Sequence, residues 1–362
     1  MNSNVLRILL LSCFVFLLTA CVPSTSVEDV DTILIAGYDY IDDEQIRGTI
    51  SIPQFGRLET GGSMKEKYLS STANTVKEVH AKLQTKSSKP LTVGKLALSL
   101  YNEELAQNGL GEVLDNLGRD PQVGRDIILG VVEGSTEGFI KGKYSETETA
   151  AKYLTGLIRG NMEKNFPTTN LHQFLYAYHA KGMDGYLPLL AQEENYVRLT
   201  GIALFQDGKM VHSIPFSKSF IFKILKEKFQ QGTQEVEFKN RHIVMENIGS
   251  SVKYHVKGKG SDSKVRIDIE ITGIINEVSS LDVLQSPKMV ELMEKRFEKF
   301  FQKQCEIMVQ DFQEYNIDPL GLGNTYNSQV RGFDINKWKE IYPSLPIEIN
   351  VGVEIVETGI VS

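Results

Sequence analysis

From Met293 to Tyr315 an apolar side chain returns every four or three residues: Met293, Phe297, Phe301, Cys305, Met308, Phe312 and Tyr315. Steps of four and three place all seven on one side of an α-helix. So long a stripe needs a long apolar surface to cover it. The flanking sequence offers one, because residues 235–245, 251–256 and 264–275 read as successive strands joined by polar turns, and PIEINVGVEIVETG beyond the helix reads as another. Short turns between consecutive strands imply an antiparallel sheet. The helix is expected over 287–316, capped by Ser286, with Pro287 in the first turn where its missing N–H is not needed. The stripe would also suit a partner helix, but strands on both sides favour packing on the chain's own sheet. Cys305, inside the stripe, reads as a small buried hydrophobe and not as a reactive thiol.

The first half has a different rhythm. DTILIAGYDY and RGTISIPQF are strand-like runs around the acidic turn IDDEQ, and Val76, Val79, His80 and Leu83 then recur at helical spacing. LTVGKLALSLY is again strand-like, a helix follows around 103–117, and the continuous apolar run DIILGVV (126–132) belongs in a sheet covered on both faces. Ser145 and Glu148 have capping-box spacing ahead of a helix, and a second helix starts at Asn170 with Leu171, Phe174, Leu175 and Tyr178 on one face. Near residue 190 the pattern changes. Two strands meet at Asp207-Gly208, a hairpin signal, and 218–230 reads as a basic amphipathic helix. The expected fold class is α+β and multi-domain: an N-terminal mixed α/β sheet domain over 31–190, a small hairpin-helix middle domain over 195–232, and a C-terminal domain over 233–362 with an antiparallel sheet packed on the long helix.

The extreme N-terminus takes no part in this fold. Val5 to Ala20 is apolar except for Arg7, Ser12 and Thr19, too short to span a bilayer comfortably and bearing the one basic residue and small-residue end of a secretory signal. Leu18-Thr19-Ala20-Cys21 resembles the bacterial lipobox, in which the cysteine thiol takes a diacylglycerol and becomes the first mature residue. A plain secretory signal or a retained membrane helix would leave Cys21 without a purpose. The expectation is a removed signal at 1–20, a lipid anchor at Cys21 and a polar tether over 21–30. Cys13 then leaves with the signal and Cys21 carries lipid, so Cys305 is the one remaining thiol and no intramolecular disulfide can form. About 340 mature residues can bury large cores without such staples. Loss of Arg7 leaves 38 basic residues against 46 acidic ones, a balance that argues against nucleic acid and against broad adsorption to anionic headgroups.

No HExxH, CxxC, Walker loop or G-x-S-x-G turn is present. GSTEG has Thr136 where a nucleophilic serine would stand and reads as a turn; GLGNTYN (321–327) does not complete a dinucleotide fingerprint. Asp39, Asp42, Asp43 and Glu44 lack the ordered spacing of a calcium loop. His80 reads as a core-edge residue, and His172 and His179, seven apart, as solvent-side residues on one helix. The residues give no catalytic, metal or cofactor site.

Several segments, in order, resemble the C subunits of bacterial spore nutrient germinant receptors, the Ger(x)C lipoproteins: the lipobox at Cys21, DTILIAGYDY, KPLTVGKLALSLYNEELAQNGLGEVLDNLGRDP, GMDGYLPLL, TGIALFQDGKMV, DPLGLG (318–323) directly after the long helix, the segment around Trp338, and the closing VGVEIVETG. Physically, the proline and glycines of DPLGLG stop a helix and permit positive φ. The resemblance implies a three-domain α+β, non-enzymatic protein, lipid-anchored on the outer face of the spore inner membrane, whose partners are integral-membrane A-type and B-type receptor subunits. Two other readings of an exported, anchored, acidic chain stand beside it: a solute-binding lipoprotein of a transporter and a cell-envelope hydrolase.

Overall fold

Strands apolar on both faces belong in the middle of a covered sheet, and Ile128–Val132 is buried at every position. The computed structural model, which describes residues 27–54, 65–145, 147–238, 241–258, 260–278 and 287–358, places it there. In chain order the strands are β1 Asp31–Thr32, β2 Ile35–Asp42, β3 Gln45–Gln54, β4 Lys65–Ala73, β5 Leu91–Thr92, β6 Leu98–Asn102, β7 Ile128–Val132, β8 Tyr186–Glu193, β9 Tyr196–Gln206, β10 Lys209–Pro215, β11 Thr233–Phe238, β12 Arg241–Lys257, β13 Lys264–Val278 and β14 Ile347–Thr358. The helices are α1 Val76–Gln84, α2 Glu103–Asn108, α3 Gly111–Arg119, α4 Thr136–Lys141, α5 Ala150–Met162, α6 Leu171–His179, α7 Ser219–Lys226, α8 Pro287–Glu314, α9 Leu322–Gln329 and α10 Ile335–Ile341.

The larger sheet has eight strands in the order β10-β9-β8-β7-β6-β2-β3-β4. Its centre, β2, β6, β7 and β8, is parallel, and antiparallel pairs finish both edges. Side chains alternate between two cores. Leu98, Leu100, Ile128 and Val132 face one, while Tyr101, Leu129 and Val131 face the other beneath helices α1, α3 and α6. The first core does not stop at the sheet. It continues through α5 and α7 into the four-stranded sheet β11-β12-β13-β14 and its long helix α8.

The α+β class stands, and several boundaries move. The 195–232 segment is divided: its hairpin hydrogen-bonds to β8 and completes the N-terminal sheet, whereas α7 enters the C-terminal core. The hairpin turn has the positive φ values of a type I′ turn, 50° at Asp207 and 80° at Gly208. Helix α7 is not amphipathic, since Ser219 to Leu225 are all buried. Phe222 meets Tyr186 of β8 at 4.9 Å and Phe312 of α8 at 5.9 Å, so one short helix joins both sheets. Its Lys223 is buried because its ammonium donates to the Met162 and Phe166 carbonyls and lies over the Phe229 ring at 4.7 Å.

The run 235–245 is the two arms of the β11–β12 hairpin, and 251–256 continues β12 without a break. Strand β14 is parallel to β13, because α8 carries the chain back across the sheet as a crossover. The helix expected over 103–117 breaks at Gly109, φ 127°, and the cap of α5 is Thr149, whose side chain accepts from the Lys152 amide. Ser145 accepts from the Glu148 amide one turn too early. Met293, Phe297, Phe301, Cys305, Met308 and Phe312 of the stripe are buried, but Tyr315 is exposed beyond the helix end. Ser286 lies outside the described residues.

Candidate functional site

The residues singled out from sequence do not meet in one place. Cys21 lies outside the described residues. Cys305 is free and fully buried, and burial pushes its thiol far above the usual range. Cys305 should therefore take no maleimide until the protein is unfolded; fast labelling of Cys305 in the native protein would contradict that burial. His172 and His179 are exposed on α6. His80 hydrogen-bonds the Tyr38 hydroxyl at 2.8 Å, and burial lowers its basicity. The acidic cluster is a structural device. Asp39 is buried and accepts from the Thr136 amide at 2.7 Å and the Thr136 hydroxyl at 2.9 Å, holding the start of α4, and Asp42 closes its own turn by accepting from the Glu44 amide. Thr136 is thus a buried donor, not a nucleophile. Among the described residues no group of histidine, cysteine and carboxylate side chains is placed to hold a metal.

The polar focus is instead where the two halves meet. Helix α8 ends through Asn316, φ 52°, with the Ile317 amide donating back to the Phe312 carbonyl at 2.9 Å. Asn316, not the glycines of DPLGLG, stops this helix. Asp318 then turns its carboxylate onto the start of α9: Oδ1 accepts from the Gly321 and Leu322 amides at 2.8 and 2.9 Å, and Oδ2 from the Gly323 amide at 2.7 Å. A carboxylate at the positive end of a helix satisfies donors that the helix cannot.

From the other half, the α6–β8 loop carries GMDG. The Asp184 amide donates to the Asp318 carbonyl at 2.9 Å, and Asp184 Oδ2 accepts from the Asp318 amide at 2.7 Å. The Asn324 amide donates to the Gly182 carbonyl at 2.7 Å. Lys226, at the end of α7, donates to the Pro319 and Leu320 carbonyls at 2.7 and 3.2 Å. Backbones approach closely because two glycines face each other: a Cβ on Gly182 would lie 2.7 Å from the Gly323 backbone, and one on Gly323 would lie 2.5 Å from Trp338 Nε1.

Burial raises both carboxyls, Asp184 to about 7 and Asp318 to about 6. Three amides and the Lys226 ammonium pull Asp318 the other way, which makes it the more readily ionised of the two. A folded-state value above the unfolded one means that the native protein binds the extra protons, so this pair's contribution is fully present below pH 4 and is lost as pH rises to 7. The urea midpoint difference between pH 5 and pH 8 is expected to shrink in Asp184→Asn; an unchanged difference would contradict this assignment.

Sequence reasoning missed Asp184 and Lys226 here. Their only local signal was that Asp184 and Asp318 each sit among glycines.

This α+β fold holds its two sheets together through the interlocked junction, and the chain belongs to the spore germination GerAC-like family. The family's N-terminal domain model, spore germination protein N-terminal domain, matches residues 23–192, and its C-terminal model, spore germination B3/GerAC like, matches residues 200–359. Spore germination protein GerQC of Bacillus cereus is 31% identical over 357 residues, covering 98% of each chain. The putative spore germination protein YfkR of Bacillus subtilis is 22% identical over 99% of this chain and 98% of its own. The crystal structure of the GerBC protein superposes with a TM-score of 0.60 at 17% identity, over 89% of this chain and 96% of that one, and so shares the fold. The family assigns a role in spore germination and is not one of enzymes.

Proposed function

We propose that the chain is the lipid-anchored C-type subunit of a spore germinant receptor, held by Cys21 on the outer face of the spore inner membrane and docking there on integral-membrane A-type and B-type subunits. The observation that carries this reading is the family match along almost the whole body, set directly behind a lipobox. No helix among the described residues is long and apolar enough to cross a membrane. Two acyl chains, at about 0.8 kcal/mol per buried methylene, hold a protein to a bilayer stably.

The continuous core argues against a solute-binding clamp. Such a clamp needs two lobes able to close on a ligand, whereas here one apolar cluster runs from β6 through α7 to α8. The test is co-purification from spores: an epitope-tagged chain should bring down two integral-membrane subunits, and recovery of the protein alone from detergent extracts of intact spores would overturn the reading. Cys21→Ala should move most of the protein from the membrane to the soluble fraction while leaving its thermal midpoint unchanged.

A further inference from the structure

A strand at the edge of a sheet turns every second N–H and C=O outward, where a strand from another molecule can pair with them. The two large sheets have four such edges among the described residues, β10 and β4 on one, β11 and β14 on the other. Three of the four meet side chains from a helical segment. The amides of Val353 and Ile355 in β14 donate to Glu298 Oε1 at 3.3 Å and to Glu294 Oε1 at 2.9 Å. On β11, the Glu237 carbonyl accepts from Arg296 Nε at 3.0 Å. On β4, Lys82 Nζ donates to the Thr72 carbonyl at 3.1 Å and Lys86 Nζ to the Ser70 carbonyl. The fourth edge, β10, is broken by a register shift between Met210 and His212 and ends at Pro215, which has no N–H to offer.

Spacing explains how two side chains of one helix reach two amides of one strand. Four residues of helix rise about 6.0 Å, and two residues of strand advance about 6.6 Å. Glu294 and Glu298 are four apart, and they meet Ile355 and Val353, two apart, with helix and strand running in opposite directions. Lys82 and Lys86 meet Thr72 and Ser70 in the same pattern. On α8, at about 100° per residue, Glu294 and Glu298 stand on one flank of the buried stripe Met293, Phe297 and Phe301, and Arg296 stands on the other. One helix thus reaches both edges of the sheet it covers. The Val265 amide, opposite Ile347, donates to the Pro346 carbonyl, so even-numbered residues of β14 are committed to β13 and odd-numbered ones face outward as far as Ile355. Each glutamate brings an acceptor and a negative charge but no donor. An incoming strand needs both, and its carbonyls would meet carboxylates.

We propose that Glu294 and Glu298 guard the β14 edge: they occupy the amides through which a second copy of the chain would add its own β14, and their removal turns this edge into an interface between copies. Such an interface is isologous, with the two β14 strands antiparallel and the two four-stranded sheets merged into one. Of the four edges β14 is the longest, 12 residues against six in β11, seven in β10 and nine in β4, so it is the edge that most needs a guard. The inference needs neither the lipid nor the partner subunits, so it stands or falls apart from the proposed function.

The full chain, purified in detergent, is followed by amide hydrogen exchange resolved to single residues and by analytical ultracentrifugation. Glu298→Ala should speed exchange at Val353 about tenfold while leaving Ile355 near its native rate, and Glu294→Ala should do the reverse. General loosening of the fold would instead speed both amides together in either variant. The variant carrying both alanines should sediment at twice the native mass, and in that form both amides should again exchange slowly, because a new strand covers them. Glu294→Gln with Glu298→Gln, whose side-chain oxygens still accept, should keep the native mass. Equal acceleration of the two amides in each single variant would overturn the proposal. So would a double alanine variant that keeps the native mass up to about 100 µM, or a glutamine variant that doubles in mass as readily. The single variants decide the matter even where the double alanine variant is too unstable to purify.

Discussion

Asp318→Ala is expected to cost about 3–5 kcal/mol of folding stability, read as a fall in the urea midpoint. The substitution removes one small side chain but orphans the amides of Gly321, Leu322 and Gly323 at the start of α9. It also removes a nearby negative charge that offsets the burial of the Lys226 ammonium. Donors left unmet in a buried place cost far more than the hydrogen bonds themselves contribute. Asp318→Asn should cost less, because one amide oxygen can still serve Gly321 and Leu322, although its NH2 then faces the Gly323 N–H, donor against donor. A loss of less than about 1 kcal/mol in the alanine variant would mean that the junction is not held by this carboxylate.

The second large effect is steric. Gly323→Ala would bring a methyl to 2.5 Å from Trp338 Nε1 and 2.8 Å from the Gly182 Cα, with the indole itself only 3% exposed and unable to retreat. Overpacking of this kind costs about 3 kcal/mol. Gly182→Ala meets the Gly323 backbone at 2.7 Å and adds strain from φ 77°, so its cost should be at least as great. Since both methyls force the same two segments apart, the double variant should lose clearly less than the sum of the singles. Additive losses would place the two glycines in separate environments.

The parts of this fold that could be read from sequence are those in which one element states its own burial. The α8 stripe is periodic over its whole length, and Ile128–Val132 is apolar on both faces, so each announces its place before any partner is known. Helix α7 misled for the opposite reason. Its lysines mimic a solvent face, but Lys223 and Lys226 are satisfied by carbonyls of α5, the loop after it and the α8–α9 loop, partners 57 to 94 residues away. The direction of β14 was inferable in principle, since a helical crossover returns a strand parallel, yet the alternation of its side chains is the same in either direction. The junction was the least legible feature. GMDG and DPLGLG each read as an isolated turn, and only folding brings Asp184 and Asp318, 134 positions apart, onto each other's backbones. Glycines in both segments were visible; that they face one another was not.

The acidic turn near residue 40 gives the same lesson at shorter range. The carboxylates Asp39, Asp42, Asp43 and Glu44 look alike in sequence, but only Asp39 points into the fold, where it fixes the start of α4 and gives the serine-like GSTEG turn its structural reason.

Intact mass spectrometry of the protein from spore membranes tests the proposed lipid on the Cys21 sulfur most directly. We expect a chain that begins at Cys21 and carries the added mass of a diacylglyceryl group on that residue. A chain recovered with an unmodified cysteine, or one that still retains residues 1–20, would contradict it.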